Sequence, residues 1–511
     1  MKAIADIPGT ADCCWTATAP QTSYPALGKA VRTDVAIIGA GIVGLTAAYA
    51  LCRRGVSVTV IEALHVGRQV TGRSSAKITS QHSLIYRHLR DTFDLDTARA
   101  YAEANRAGAT QIRNWIRELG IVCDLEEKDA YVYTCKESLL AEIEAEAAIA
   151  LDLGFEADVV APAPLPFETA GALRFAGEAQ FNPAQYLVGL AAAVKTAGGS
   201  IFENTRVHDV KPGRRWRVMT ERGQIDAESV VVATNLPIAG PGHYDVKTRP
   251  RGHIAMGFRS ASADAVEGMF IGIDHPTHSI RTGRDDDGPL LIVLGPAFVT
   301  GQEGDVAARF RQLDEWAHKN LPVGQAAWRW FNEDYDTPDR VPYVGEPEKK
   351  SKGFYIATGF NGWGISNGAA AGLLISDQIQ GRSNPWAKLY DPRRRSPKNY
   401  NKGDDTHSLV GSIDEIPSGQ GGVINRGKAK LAIYKAANGR VRALSASCTH
   451  AGCTVSWNNA DLTWDCPCHG SVFSATGQVI HGPATKPLPS RKLPKAKPKR
   501  RRKKRSRRRR N

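Results

Sequence analysis

The hexapeptide Gly39-Ala40-Gly41-Ile42-Val43-Gly44 constrains the fold of this 511-residue chain more than any other feature. It follows a short apolar strand read over 35–38 and opens a helix read over 42–53, and VSVTVIE at 56–62 reads as the next strand. In such a βαβ unit Gly39 permits the tight turn, Gly41 leaves room for a pyrophosphate against the backbone, and Gly44 lets helix and strand pack closely. The amino terminus of the helix then turns its positive end toward the phosphates. Glu62, 18 residues past Gly44, stands where a carboxylate accepts hydrogen bonds from a ribose diol and repels a 2′-phosphate. Strand, turn, helix, second strand and terminal acid together are more specific than the glycines alone, for which a ligand-free turn is the alternative. The motif does not by itself separate NAD from FAD.

The nine cysteines form two groups. Cys13, Cys14, Cys52, Cys123 and Cys135 are scattered, whereas Cys448, Cys453, Cys466 and Cys468 crowd together, interleaved with His450 and His469. Such crowding reads as a metal site rather than a disulfide framework. CTHAGC at 448–453 and CPCHGS at 466–471 give C-x-H, fifteen residues, then C-x-x-H. Two thiolates and two imidazoles do not complete a four-cysteine cluster. A zinc site uses similar ligands, but does not require the second cysteine of each box or the following Gly-Ser.

The pattern closely resembles the Rieske family, in which two histidines replace two cysteines on one iron of a 2Fe–2S cluster. The resemblance implies that Cys448 and Cys466 hold one iron and His450 and His469 the other. It also places Cys453 and Cys468 where cytochrome bc-type Rieske domains form a bridging disulfide. Such a bond is unusual in the cytosol, but burial beside a cluster shields it. Gly482-Pro483-Ala484 resembles the loop that covers a Rieske cluster. Ser471 matches a donor to cluster sulfur in high-potential members, whereas Phe473 replaces their tyrosine. With one donor fewer, a potential below the top of the Rieske range (roughly −150 to +300 mV) is expected.

The segment VGRQVTGRSSAKITSQ at 66–81 and the later ATGFNGWGISNG resemble the D-amino-acid-oxidase-like flavoenzymes, which include sarcosine, glycine and γ-glutamylputrescine oxidases. The resemblance spans 34–382 in several separated motifs and implies FAD. Carried over position by position, it places Arg73, Ser74, Ser75 and Lys77 near the pyrophosphate and isoalloxazine. It places Val207 of ENTRVHDV at the adenine through its backbone, and Thr234 of VVVATN at the end of a dinucleotide-domain strand. Gly362, Trp363, Gly364 and Ile365 fall by the pyrimidine edge, where the following helix stabilises negative charge on a reduced ring. Ala76 and Lys77 stand where a linking histidine is sought, so the flavin is expected to be non-covalent; His82 is a nearby imidazole. Candidate substrate-side residues are His253, Arg281, Tyr335 and Trp363, with Arg281 (SIRTG) the clamp for a carboxylate and His253 read more as structural than as a base.

The expected fold is an α/β, Rossmann-like FAD-binding domain with an α+β substrate domain, followed by a small all-β Rieske domain. Residues 1–33 read as a lead-in. Residues 34–382 form the flavoprotein part, with FAD-binding pieces at about 34–83, 195–240 and 335–382 and substrate pieces at about 84–194 and 241–334. The Pro-rich, charged stretch 383–405 suits a linker, and 406–493 the Rieske domain. The net charge of +15 is misleading: 491–511 hold 15 Lys or Arg and no acid, which leaves 52 basic and 52 acidic residues elsewhere. The tail 494–511 is low in complexity and reads as disordered. It suits peripheral polyanion contact and offers no sequence-specific nucleic-acid readout. The amino terminus lacks a signal-peptide hydrophobic region, and no segment reads as membrane-spanning, so a cytoplasmic setting is expected.

A flavin takes two electrons and a 2Fe–2S cluster passes one at a time. The expected activity is therefore a dehydrogenase acting on a C–N bond of an amine or amino acid, relaying electrons through the cluster to an external carrier protein or quinone. An NAD(P)H-dependent ferredoxin reductase needs a second dinucleotide fingerprint. GPGHYD lacks the third glycine and GFNGWG has the wrong spacing. A third reading is a redox-responsive polyanion-binding protein anchored by the basic tail.

Overall fold

The computed structural model describes residues 7–260, 266–397, 400–401, 409–427 and 429–493. The basic tail 494–511 lies outside the described residues.

An eight-stranded sheet carries the glycine turn. Its parallel heart runs Ser200–Phe202, Val58–Ile61, Val31–Ile38, Gly223–Val232 and Phe354–Thr358. The VTVI and VVV runs of these strands are covered on both faces, which is why they are continuously apolar rather than alternating. The helix Ile42–Cys52 is apolar all round and every residue of it is buried, between the helices Ser366–Ile379 and Pro183–Thr196.

A nine-stranded sheet forms the second layer. Its longest pair is antiparallel, Arg249–Ser260 against Val323–Asp336. The lead-in does not stay outside this body. Thr10–Ala11 adds a parallel strand beside Val323–Asp336, and the helix Cys14–Thr18 buries Cys14 and Trp15. The Cys-Cys-Trp run explains this, because it brings too much apolar surface to remain in water.

The last region is all-β, a three-stranded sheet of Gln420–Arg426, Ala429–Lys435 and Val441–Ser445 and a four-stranded sheet from Ser456–Asn458 to Val479–His481. The stretch expected to be a linker is docked along its described part. Tyr390 is fully buried, its hydroxyl donates to Asn367 Oδ1 (2.9 Å), and Arg394 forms an ion pair with Asp339 at 2.7 Å. Its charged composition hides aromatic anchors. Among the described residues no helix is long and apolar enough to cross a membrane.

Candidate flavin cavity and iron–sulfur centre

A cavity of about 440 Å³ opens at the carboxyl ends of the parallel strands, where ligands bind in open α/β sheets. Gly39, Gly41, Glu62, Arg73, Ser74, Ser75 and Lys77 line it, with Val207, Thr234, His253 and the run Gly362 to Ile365. Gly44 lies behind it and sets its shape, since a Cβ there would stand 2.0 Å from the carbonyl oxygen of Gly39. Gly39 has φ +106° and a Cβ on it would meet Ala233 O at 2.5 Å, so both turn and approach require glycine. The first turns of the helices Ile42–Cys52 and Ser366–Ile379 both border the cavity, two positive ends aimed at one space. The glycine cradle and paired helix ends fit a dinucleotide.

Side chains around the cavity are held from behind. Burial pushes the Glu62 carboxyl up, although the N–H groups of Ala40 (3.0 Å) and Leu64 (2.9 Å) donate to it. Lys77 Nζ donates to Phe270 O and Ser279 Oγ, each at 2.8 Å, and burial lowers it to about 7. Gly362 N donates to Asp334 Oδ2 at 2.6 Å, which pins the glycine-rich loop. Trp363 stacks on His82 with ring centroids 4.7 Å apart. His82 is buried and held neutral, lowered to about 3, with Tyr101 Oη 2.8 Å from Nδ1 and Thr79 O 3.0 Å from Nε2.

Two expected substrate-side residues lie elsewhere. Arg281 does not reach the cavity. Its guanidinium bonds the carbonyls of Ser75, Ala76, Phe181 and Thr282 and lies over Trp15, so it braces the 75–76 turn. Tyr335 faces away from the cavity, as described below. The guanidinium on the cavity wall is instead that of Arg251, which the sequence reading missed. Residues 251 and 253 share a face of a strand, so the choice of His253 already pointed to it. Arg251 Nε donates to His253 Nε2 (2.9 Å), and Nη1 donates to Asp336 (3.1 Å). Burial lowers His253 to about 3, which leaves it neutral and able to accept.

The four candidate iron ligands come together on two loops of the all-β region. His450 Nδ1 and His469 Nδ1 are 3.2 Å apart. Metal–imidazole bonds of about 2.1 Å to a single ion put two such nitrogens about 3.0–3.4 Å apart, so the pair fits one iron. The thiols of Cys448 and Cys466 adjoin each other as a second pair. Cys453 and Cys468 form a disulfide that ties the two loops (Sγ–Sγ 1.98 Å). Ala484 N donates to Ser471 Oγ at 3.0 Å, which joins the covering loop to the ligand loop. Phe473 is fully buried and brings no hydroxyl. Phe473→Tyr is expected to raise the midpoint potential of the cluster, and a film titration without a rise would count against this.

The two sites share one wall. Along Val323–Asp336, Trp330, Asn332 and Asp334 line the cavity, while Glu333 and Tyr335 point to the iron–sulfur domain. Tyr335 Oη lies 3.0 Å from the carbonyl oxygen of His469 and 2.9 Å from Glu333 Oε1. Contact is close on both sides. A Cβ on Gly470 would meet Glu333 Oε1 at 2.0 Å, and one on Gly301 would meet Pro467 N at 2.7 Å. Ile480, His481, Gly482, Ala484 and Thr485 of the iron–sulfur domain line the same cavity.

Fold and sites together define a flavoprotein joined to a Rieske iron–sulfur domain. The chain belongs to the FAD dependent oxidoreductase family, whose model matches residues 34–378, and residues 406–492 match the Rieske 2Fe-2S domain. It is 32% identical to the Rieske 2Fe-2S iron-sulfur protein YhfW of Bacillus subtilis (strain 168), over 93% of this chain and 96% of that protein. It is 22% identical to gamma-glutamylputrescine oxidoreductase of Escherichia coli (strain K12), over 70% of this chain and 86% of that one. The crystal structure of L-proline dehydrogenase from P. horikoshii superposes with a TM-score of 0.60 at 20% identity, covering 72% of this chain and 98% of that one.

Proposed function

We propose that this chain is a dehydrogenase that oxidises a C–N bond of a small amine or amino acid in the cavity and passes the electrons through its iron–sulfur domain. The observation that carries the reading is the shared wall: alternate residues of one strand face the flavin cavity and the loop that holds His469. The named relatives that act on proline or glutamylputrescine support the substrate class. FAD bound in the cavity supplies a two-electron acceptor, and a 2Fe–2S cluster a one-electron carrier.

Arg251 anchors a substrate carboxylate, preset by Asp336 and His253. His253, neutral and accepting from Arg251, orients that clamp and takes no proton from substrate. Trp363, backed by His82, and the apolar Ile271 and Leu294 keep water from the reacting carbon. Electrons leave for an external acceptor, a carrier protein or quinone, in a cytoplasmic setting.

Anaerobic mixing with a panel of amines and amino acids tests this, with flavin bleaching followed optically and the cluster by electron paramagnetic resonance. The expected result is bleaching by one substrate class and then a reduced Rieske signal. Reduction by NAD(P)H alone would overturn the reading in favour of a ferredoxin-reductase-like protein. A second contact between the halves, Gly301 against Pro467, has its own test. Gly301→Val inserts a side chain against the backbone of Cys466 and Pro467. It is expected to slow cluster reduction at least about tenfold, the equivalent of ~1.4 kcal/mol, while substrate still bleaches the flavin at the parent rate. Equal cluster reduction in parent and variant would rule out this contact as the route.

A further inference from the structure

The histidine edge of the cluster site faces a carboxylate from the other half of the molecule. Asp245 lies in the short helix Tyr244–Lys247 beside the flavin-binding sheet. Its Oδ2 is 3.8 Å from His450 Nε2 and 3.9 Å from His469 Nε2. The two imidazoles therefore converge twice, through Nδ1 toward the place of the iron and through Nε2 toward one carboxylate. A neutral imidazole that ligates through Nδ1 carries its hydrogen on Nε2. Metal-bound imidazoles hand that hydrogen to a carboxylate, a carbonyl or water.

Asp245 is held there by contacts of its own. Asn401, in the segment that joins the two halves, donates through Nδ2 to Asp245 O (3.2 Å) and through its backbone N–H to Val246 O (3.2 Å). The same Nδ2 donates to the carbonyl of Cys468, in the second ligand loop. One side chain thus stitches the Asp245 helix to the loop that bears His469. The Asp245 side chain is 23% exposed, so water screens its charge only in part.

We propose that Asp245 is a positioning residue of the iron–sulfur centre, supplied by the flavin-binding half: its carboxylate faces the Nε2 edges of both histidine ligands at 3.8 and 3.9 Å, beyond direct hydrogen bonding, and its charge makes the cluster harder to reduce. The effect follows from sign. Reduction adds negative charge, and a neighbouring carboxylate disfavours it. The proposal rests on reading Cys448, His450, Cys466 and His469 as the cluster ligands. It gives the flavin-binding half a hand in the potential of the centre to which it delivers electrons.

The test uses the full-length protein carrying both cofactors. The cluster is titrated potentiometrically, with its electron paramagnetic resonance signal as readout. Asp245→Asn is expected to raise the midpoint potential and shift the g-values, whereas Asp245→Glu, which keeps the charge, stays near the parent. A parent-like potential in Asp245→Asn at equal cluster content overturns the proposal. If Asp245→Asn assembles no cluster, Asp245→Glu decides: a full complement at the parent potential supports the charge role, and loss there too replaces it with a folding role. A parent protein without the reduced Rieske signal overturns the ligand reading itself, an outcome distinct from an unmoved potential.

Discussion

Gly44→Val is expected to yield a folded chain that retains less FAD than the parent. At that position even a Cβ stands 2.0 Å from the carbonyl oxygen of Gly39 and 3.2 Å from Ile37 Cγ2. The neighbours are backbone of the turn and a buried strand, neither of which yields like the tip of a long side chain. The helix Ile42–Cys52 must lift away from Val31–Ile38, and its first turn, which borders the cavity, moves with it. Overpacking of this kind costs about 1–3 kcal/mol. Charged against cofactor binding, that is roughly a ten- to hundredfold loss of affinity. The measurement is the flavin absorbance per chain after gel filtration, beside the iron content. The iron–sulfur ligands belong to a separate region, so iron is expected to remain near the parent value. Full flavin retention in the variant would mean that the turn does not hold the pyrophosphate.

Cys466→Ala is expected to do the reverse. It removes one thiolate of the pair with Cys448, in a loop whose other features are the disulfide and the close seat against Gly301. A 2Fe–2S centre left with three ligands does not assemble stably, so iron and the reduced resonance signal disappear. FAD stays, because its cavity is built largely by the other half. Substrate then bleaches the flavin in a single turnover, but steady-state delivery to a one-electron acceptor falls by at least about a hundredfold, some 2.7 kcal/mol. Unchanged delivery without the cluster would show that the flavin reaches its acceptor directly.

Both cofactor sites were legible because each is written locally. The glycine turn and Glu62 belong to one βαβ unit, and the Cys and His ligands to two short loops; in both, spacing along the chain fixes which atoms can meet. The lead-in and the linker misled for a complementary reason. Average composition registers the prolines and charges of 1–33 and 383–397, while single aromatic anchors, Trp15 and Tyr390, decide that these segments pack. The substrate-side residues were read less well. Arg281, a plausible clamp by type, is consumed by the carbonyls of Ser75 and Ala76, and Arg251 holds the wall position.

What the sequence determined by itself is therefore the pair of cofactors, the order of the domains and the motifs from which the flavin cavity is built. Tertiary structure alone decided how the two halves meet. The direction in which Tyr335 points depends on the pleat of Val323–Asp336 and on which partner covers each face. The meeting of Asp245 and Asn401 with the second ligand loop depends on how distant segments dock. No local periodicity encodes such contacts, because they are chosen by packing between surfaces that the chain brings together only when it has folded.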